Sequence, residues 1–231
     1  MGVFDSGIGG LSVLRECAAR LAHENFVYLA DKANMPYGTK SEADIKAAAL
    51  NCADILVGMN CKAIVIACNT ATETAIDYIR DMFKGVPVVG LEPAVKPCLR
   101  ELESGYGVAL VTEATSRSER FKKLVKESGG RIVVAPQPRL AKLIEESDDK
   151  SALRPYVEKM LEPYRDAEAV ALGCSHYSFI SDMIKDFYGG KIKIYDGASG
   201  AAARLAYILQ ATDCAAPSEN NGSVRFYSTT K

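Results

Sequence analysis

Along the chain, short runs of apolar residues alternate with longer stretches in which apolar and polar positions mix at helical spacing. The runs at 2–5, 26–30, 63–67, 86–91, 107–111, 131–135, 169–172 and 192–195 are too continuously apolar for one-sided strands, and predict strands covered on both faces. Helices are predicted between them, among others at 41–59, 70–83, 115–127, 151–164 and 198–209. Ser41 followed by Asp44 resembles a capping box, and Thr115 stands before a charged first turn. Strands that alternate with helices in this way predict parallel sheets, a doubly wound α/β fold.

The pattern also repeats. Gly2-Val3-Phe4-Asp5 opens the first half and Gly107-Val108-Ala109-Leu110-Val111-Thr112 opens a second, 105 residues later. Cys68 ends one apolar run and Cys174 another, 106 residues apart. The near-equal offsets predict two similar lobes, one of residues 1–92 with 205–231, the other of residues 93–204. Each lobe would hold one cysteine at the carboxyl end of a strand, where open parallel sheets bind ligands. The expected active site is the cleft between the lobes.

Composition narrows the function classes. A chain of 231 residues with a formal net charge of −1 has neither the basic footprint of a nucleic-acid binder nor an acidic tail. No charged segment followed by an apolar signal stretch stands ahead of the first strand. No apolar run approaches the roughly 20 residues that a membrane span needs, so neither export nor a membrane partner is expected. The seven cysteines are an odd number and none shows C-x-x-C spacing, which disfavours zinc and dithiol motifs and fits a reduced, cytoplasmic compartment.

Two cysteines stand out. Cys68, in Ala67-Cys68-Asn69-Thr70-Ala71, lies after a strand and before a helix, where free amides and the helix dipole favour a thiolate. Cys174, in Gly173-Cys174-Ser175-His176-Tyr177, has the same setting, and His176 is one of only two histidines. A lone cysteine ending a buried strand is ordinarily a packing residue. Two at matching places, each followed by polar side chains, point to chemistry instead. Cys17, Cys52, Cys61, Cys98 and Cys214 read as packing or indifferent surface positions, and His23 as a surface residue near a helix end.

Other segments could line the cleft. The glycines of Asp5-Ser6-Gly7-Ile8-Gly9-Gly10 permit a tight turn into a helix N-terminus. Ser12 spoils the G-x-G-x-x-G spacing, so no dinucleotide site is inferred; phosphate cradle, carboxylate cradle and plain turn all stay open. Asp5 either caps a helix or accepts and orients a thiol proton. Pro36-Tyr37-Gly38 is a turn, or a lid bearing a hydroxyl and backbone amides. Thr112-Glu113-Ala114-Thr115 caps a helix or offers two hydroxyls to a zwitterion. Two thiols across a small polar cleft suit removal of a carbon-bound proton on one face and its return on the other. With no pyridoxal-lysine context, metal cluster or nucleotide loop in view, no cofactor and no metal are expected.

Over nearly its whole length the chain resembles the bacterial glutamate racemases. The ordered set of motifs carries the resemblance: the segment from Gly2 to Leu11, Pro36-Tyr37-Gly38-Thr39-Lys40-Ser41, Ile66-Ala67-Cys68-Asn69-Thr70-Ala71, Thr112-Glu113-Ala114-Thr115, Gly173-Cys174-Ser175-His176-Tyr177 and a closing strand at 225–230. The resemblance implies interconversion of L- and D-glutamate, D-glutamate supply for peptidoglycan, and a homo-oligomer, commonly a dimer. It implies that Cys68 acts on the D-enantiomer and Cys174 on the L-enantiomer, with Asp5 assisting the first and His176 the second. It also implies substrate contacts from Asp5, Ser6, Tyr37, Gly38, Asn69, Thr70, Thr112, Thr115, Ser175 and His176, and a glutamate that helps the second cysteine aligns near Glu145. Three places depart from the family: Ser175 stands where threonine is usual, Ala94 where glycine is usual, and 30–35 is looser than the common run.

Three rivals remain. A racemase of the same superfamily acting on aspartate or another amino acid would differ only in pocket size. A cysteine hydrolase using Cys174 with His176 would leave Cys68 without a task. A two-lobed binding protein would not need a thiol on each wall.

Overall fold

The computed structural model describes residues 1–229; Thr230, read with the closing strand, lies outside the described residues. The first lobe contains strands β1 (Gly2–Asp5), β2 (Asn25–Ala30), β3 (Ile64–Ile66), β4 (Val88–Gly90) and β9 (Ser223–Ser228). They form one parallel sheet in the order β4-β3-β1-β2-β9. The second lobe contains β5 (Gly107–Val111), β6 (Ile132–Pro136), β7 (Ala169–Gly173) and β8 (Lys193–Tyr195), also parallel, in the order β6-β5-β7-β8.

The inner strands β1, β3, β5 and β7 are covered on both faces, as their unbroken apolar runs require, whereas the edge strand β9 is exposed along its whole length. In the first lobe, Val3, Ala63, Val65 and Ala67 face helices α1 (Leu11–Arg20) and α10 (Ala198–Ala211). Phe4, Ile64 and Ile66 point the other way, to α2 (Glu42–Gly58) and α3 (Asn69–Met82). In the second lobe, Ala109, Val111, Ala169 and Ala171 pack on α4 (Val95–Arg100) and α6 (Glu119–Lys126). Val108, Leu110, Val170 and Leu172 pack on α7 (Leu140–Glu146), α8 (Arg154–Leu161) and α9 (Ser181–Phe187).

Leaving β9 aside, the two sheets share one topology. A central strand, β1 or β5, has its successor on one side and the next two strands on the other. The winding reverses between β1 and β3 and again between β5 and β7, so each lobe has a switch point at its strand ends. Cys68 follows β3 and Cys174 follows β7, the corresponding strand in each lobe.

Two readings from sequence need correction, and a third, the lobe boundary, is proposed anew. The stretch 115–127 is not one helix: Ser118 adopts an extended conformation, and its hydroxyl accepts the Phe121 amide at 3.0 Å, which ends α5 (Glu113–Arg117) and caps α6. The stretch 151–164 is α8 flanked by two 3₁₀ turns, with Pro155 and Pro163 at the starts of segments, where no amide is needed. A boundary at residue 205 would cut α10, whose Ala198, Ala201 and Ala202 already share the first lobe's core with Leu205 and Leu209. We therefore propose that the chain returns to the first lobe at residue 198. Ser41 does cap α2, accepting the Asp44 amide at 3.1 Å, while its own hydroxyl donates to the Asp44 carboxylate at 2.6 Å.

Candidate active site

Asp5 ends β1 and is fully buried. Its carboxylate accepts the Gly7 amide and, across the seam between lobes, the Ser175 hydroxyl, each at 2.8 Å. Cys68 is the N-cap of α3, 5% exposed, with its Sγ 3.9 Å from the Ser6 hydroxyl. Cys174 is 8% exposed and caps a 3₁₀ turn, Ser175–Ile180. That turn also carries His176, whose Nε2 lies 2.8 Å from the Glu145 carboxylate.

Glu145 comes from α7, a short helix that the reading from sequence did not mark. Its carboxylate also accepts the Ile8 amide at 2.8 Å, joining residues 137 apart in the chain. The Gly7 and Ile8 amides are thus occupied by the protein's own carboxylates. The glycines of this loop are needed for close approach: a Cβ at Gly7 would overlap Glu145, and one at Gly9 would overlap Ser175 and His176.

The electrostatics separate the two walls. Burial pushes the Cys68 thiol well above its ordinary pKa, and the Asp5 charge adds to it; the Ala71 amide and the Ser6 hydroxyl pull the other way and lose. The thiolate expected at this helix end is therefore not favoured while the lobes are closed. Burial raises Asp5 as well, against the pull of His176 and of its two hydrogen bonds. At His176, burial opposes the charge, but hydrogen bonds to Cys174 and Glu145 and the nearby Asp5 raise the pKa to about 10. The imidazole is consequently a cation near neutral pH, donating to Glu145 beside Cys174.

The remaining candidates form a polar lining. Thr70 on α3 meets Thr112 at 2.9 Å and Thr115 at 3.2 Å, so three hydroxyls bridge the lobes. Thr112 is at once the N-cap of α5, accepting the Thr115 amide, and part of this lining; both uses left open from sequence coexist. Asn69 donates from Nδ2 to the Leu91 carbonyl at 2.9 Å, whereas its buried Oδ1 has no partner. An unpaired buried acceptor of this kind suits an ammonium group. Gly38 packs directly on Thr112, where a Cβ would not fit. Tyr37 is different: its hydroxyl is buried and donates to Asp31 at 2.6 Å. That hydroxyl is therefore already engaged by the protein's own carboxylate.

Two residues absent from the sequence reading support this arrangement. Tyr28, buried on β2, donates its hydroxyl to the Gly7 carbonyl at 2.7 Å and fixes the glycine loop. Asp31, fully buried after β2, also accepts from Asn34 and from Thr229 at 2.6 Å. An acid directly after a buried strand, as with Asp5, was the available signal for Asp31. Of the cysteines read as packing or surface positions, Cys17, Cys52 and Cys98 are fully buried in lobe interiors and Cys61 is buried, while Cys214 is exposed, as is His23.

This arrangement has counterparts among known proteins. Residues 8–205 match the family model described as Asp/Glu/Hydantoin racemase. A curated glutamate racemase from Clostridium perfringens is 37% identical, covering 98% of this chain and 89% of its own length. The crystal structure of a glutamate racemase isoform from Bacillus anthracis superposes with a TM-score of 0.87 at 28% identity, over 100% of this chain and 88% of that one. A Francisella tularensis glutamate racemase solved with D-glutamate gives a TM-score of 0.82 at 29% identity, over 100% of this chain and 88% of that one.

Proposed function

This chain belongs to the Asp/Glu/hydantoin racemase family, and we propose that it racemises glutamate by passing the α-proton between Cys68 and Cys174. The observation that carries the mechanism is the pairing of equivalent strand ends: β3 and β7 occupy the same place in two lobes of one topology, and each ends in a cysteine.

In this mechanism Cys174, beside cationic His176, takes the α-proton of L-glutamate and becomes a thiol. Cys68, held as a thiol by burial, gives its proton to the opposite face and becomes a thiolate. The proton lost and the proton gained balance, and the reverse path begins from D-glutamate with the two roles exchanged. Asp5 assists Cys68, and Glu145 holds His176. The free Oδ1 of Asn69 accepts the substrate ammonium. Ser6, Thr70, Thr112, Thr115, Ser175 and the amides around Tyr37 and Gly38 receive the carboxylates. Such donors, fixed before the reaction, also stabilise the charge that develops as the proton leaves.

The wider reading is a cytoplasmic enzyme that works without a cofactor as a homodimer and supplies D-glutamate for peptidoglycan. Among the described residues no helix is long and apolar enough to cross a membrane. Seven unpaired cysteines suit a reducing compartment.

The test is polarimetry of purified protein with L-glutamate and no added cofactor. Rotation should decay to zero as D-glutamate accumulates. If L-aspartate racemises and L-glutamate does not, the substrate assignment fails while the chemistry survives. If neither changes, the proposal falls.

A further inference from the structure

Substrate can reach these groups only if the lobes part, because Asp5, Cys68, Cys174 and His176 are all buried. Polar side-chain contacts across the seam fall into two sets. One lies within the site: Glu145 with Ile8, Asp5 with Ser175, and Thr70 with Thr112 and Thr115. The other lies farther along α3, where α6 comes alongside.

There Arg120 of α6 reaches Asp77 of α3 at 3.5 Å and also pairs with Glu92, the last residue before the chain crosses to the second lobe. Among the described residues these are the only ion pairs that run from the second lobe to the first. Glu73, one turn before Asp77 on the same face of α3, is 7% exposed and accepts the Ser118 hydroxyl at 3.4 Å. The helix gripped in this way is the one whose first turn holds Cys68, Asn69 and Thr70.

We propose that Arg120, through Asp77 and Glu92, is the clasp that holds the two lobes closed, and that it releases whenever substrate or product passes. It is a positioning residue, remote from the reacting atoms. Both pairs are partly exposed, so they are weak and salt-screened, as a contact that must break in every turnover needs to be.

The cysteines provide the test. Ligand-free protein is alkylated with iodoacetamide at fixed pH, and the rate at each cysteine is read by mass spectrometry. Cys68 and Cys174 report lobe opening, Cys17, Cys52 and Cys98 report unfolding of the lobe interiors, and exposed Cys214 is the reference. Arg120→Gln should raise the rates at Cys68 and Cys174 about two- to fivefold, the factor that an exposed pair is worth. The rates at Cys17, Cys52 and Cys98 should not change. Asp77→Asn should give a smaller rise, and Arg120→Lys should restore most of the protection. High salt should speed the wild-type reaction and leave the Gln variant unaffected. Unchanged rates at Cys68 and Cys174 in the Gln variant would overturn the clasp, and so would a parallel rise at all the buried cysteines. Alkylation needs no turnover, so this outcome is independent of the racemase assay.

Discussion

His176 is the residue on which the second wall depends. Burial alone would strip its proton, yet hydrogen bonds to Cys174 and Glu145 keep it charged to about pH 10. The sign follows directly. The cation is present below pH 10, so kcat/KM should fall as pH rises through that value, when Cys174 loses its charged neighbour. Glu145→Gln removes a group that raises the His176 pKa, so the falling limb should move to lower pH. The pH–rate profiles of both proteins check this, and a falling limb that does not move would remove Glu145 from the mechanism. The same free energy bears on stability: with the folded value above the ordinary 6.5, the contribution is full below pH 6.5 and fades as pH approaches 10. Residue types and spacing marked both cysteines, Asp5 and His176 as candidates, and the fold buries all four. Types and spacing could not reveal that the Tyr37 hydroxyl is spent on Asp31, because that depends on which way a buried side chain turns.

At the scale of elements, the inner strands were legible because each is a continuous apolar run, and runs of that kind have few other places to go; the exposed edge strand β9 has no such run and was marked only by the resemblance. The helices were less so. Ser118 splits a stretch that reads as one amphipathic helix, since its hydroxyl competes for the backbone at the start of α6. The seven-residue helix α7 leaves too little periodicity to detect, so no helix was read from sequence around Glu145. The contact between α3 and α6 carries its own pH dependence. Burial raises Glu73 to about 7 from an ordinary 4.5, with Arg120 and Ser118 pulling down and Glu92 and Asp77 pushing up. Lys40, Glu42, Arg117 and Glu119 line the same crevice on one side, and Lys96, Lys123 and Glu127 on the other. A folded value above the unfolded one means that the native state holds the extra proton. Stability should therefore drop as pH rises from about 4.5 through 7, by up to about 3 kcal/mol. Glu73→Gln should abolish most of that drop, as read from urea midpoints at pH 5 and pH 8. Equal drops in the two proteins would show that Glu73 ionises without cost.

At the scale of the whole molecule, the repeat offset of about one hundred residues foretold two lobes of one topology, and the sheets have it. What the offset could not tell is where α10 belongs, because an alanine-rich helix fits either core; its packing against α1 is what supports our placing it with the first lobe. Duplicated lobes lead two equivalent strands, β3 and β7, into a buried cysteine each, and from that symmetry comes the central proposal that racemisation uses two bases.

Solvent deuterium tests it most directly. The protein is incubated in D₂O with each enantiomer of glutamate in turn, and early product and remaining substrate are analysed for deuterium at the α-carbon. With two thiols, the proton removed and the proton delivered are carried by different sulfurs, so early product should carry deuterium while unreacted substrate keeps its hydrogen. Cys68→Ser and Cys174→Ser should each lose racemisation in both directions. Early product that retains the substrate's own hydrogen, or a serine variant that still racemises, would contradict the two-base account.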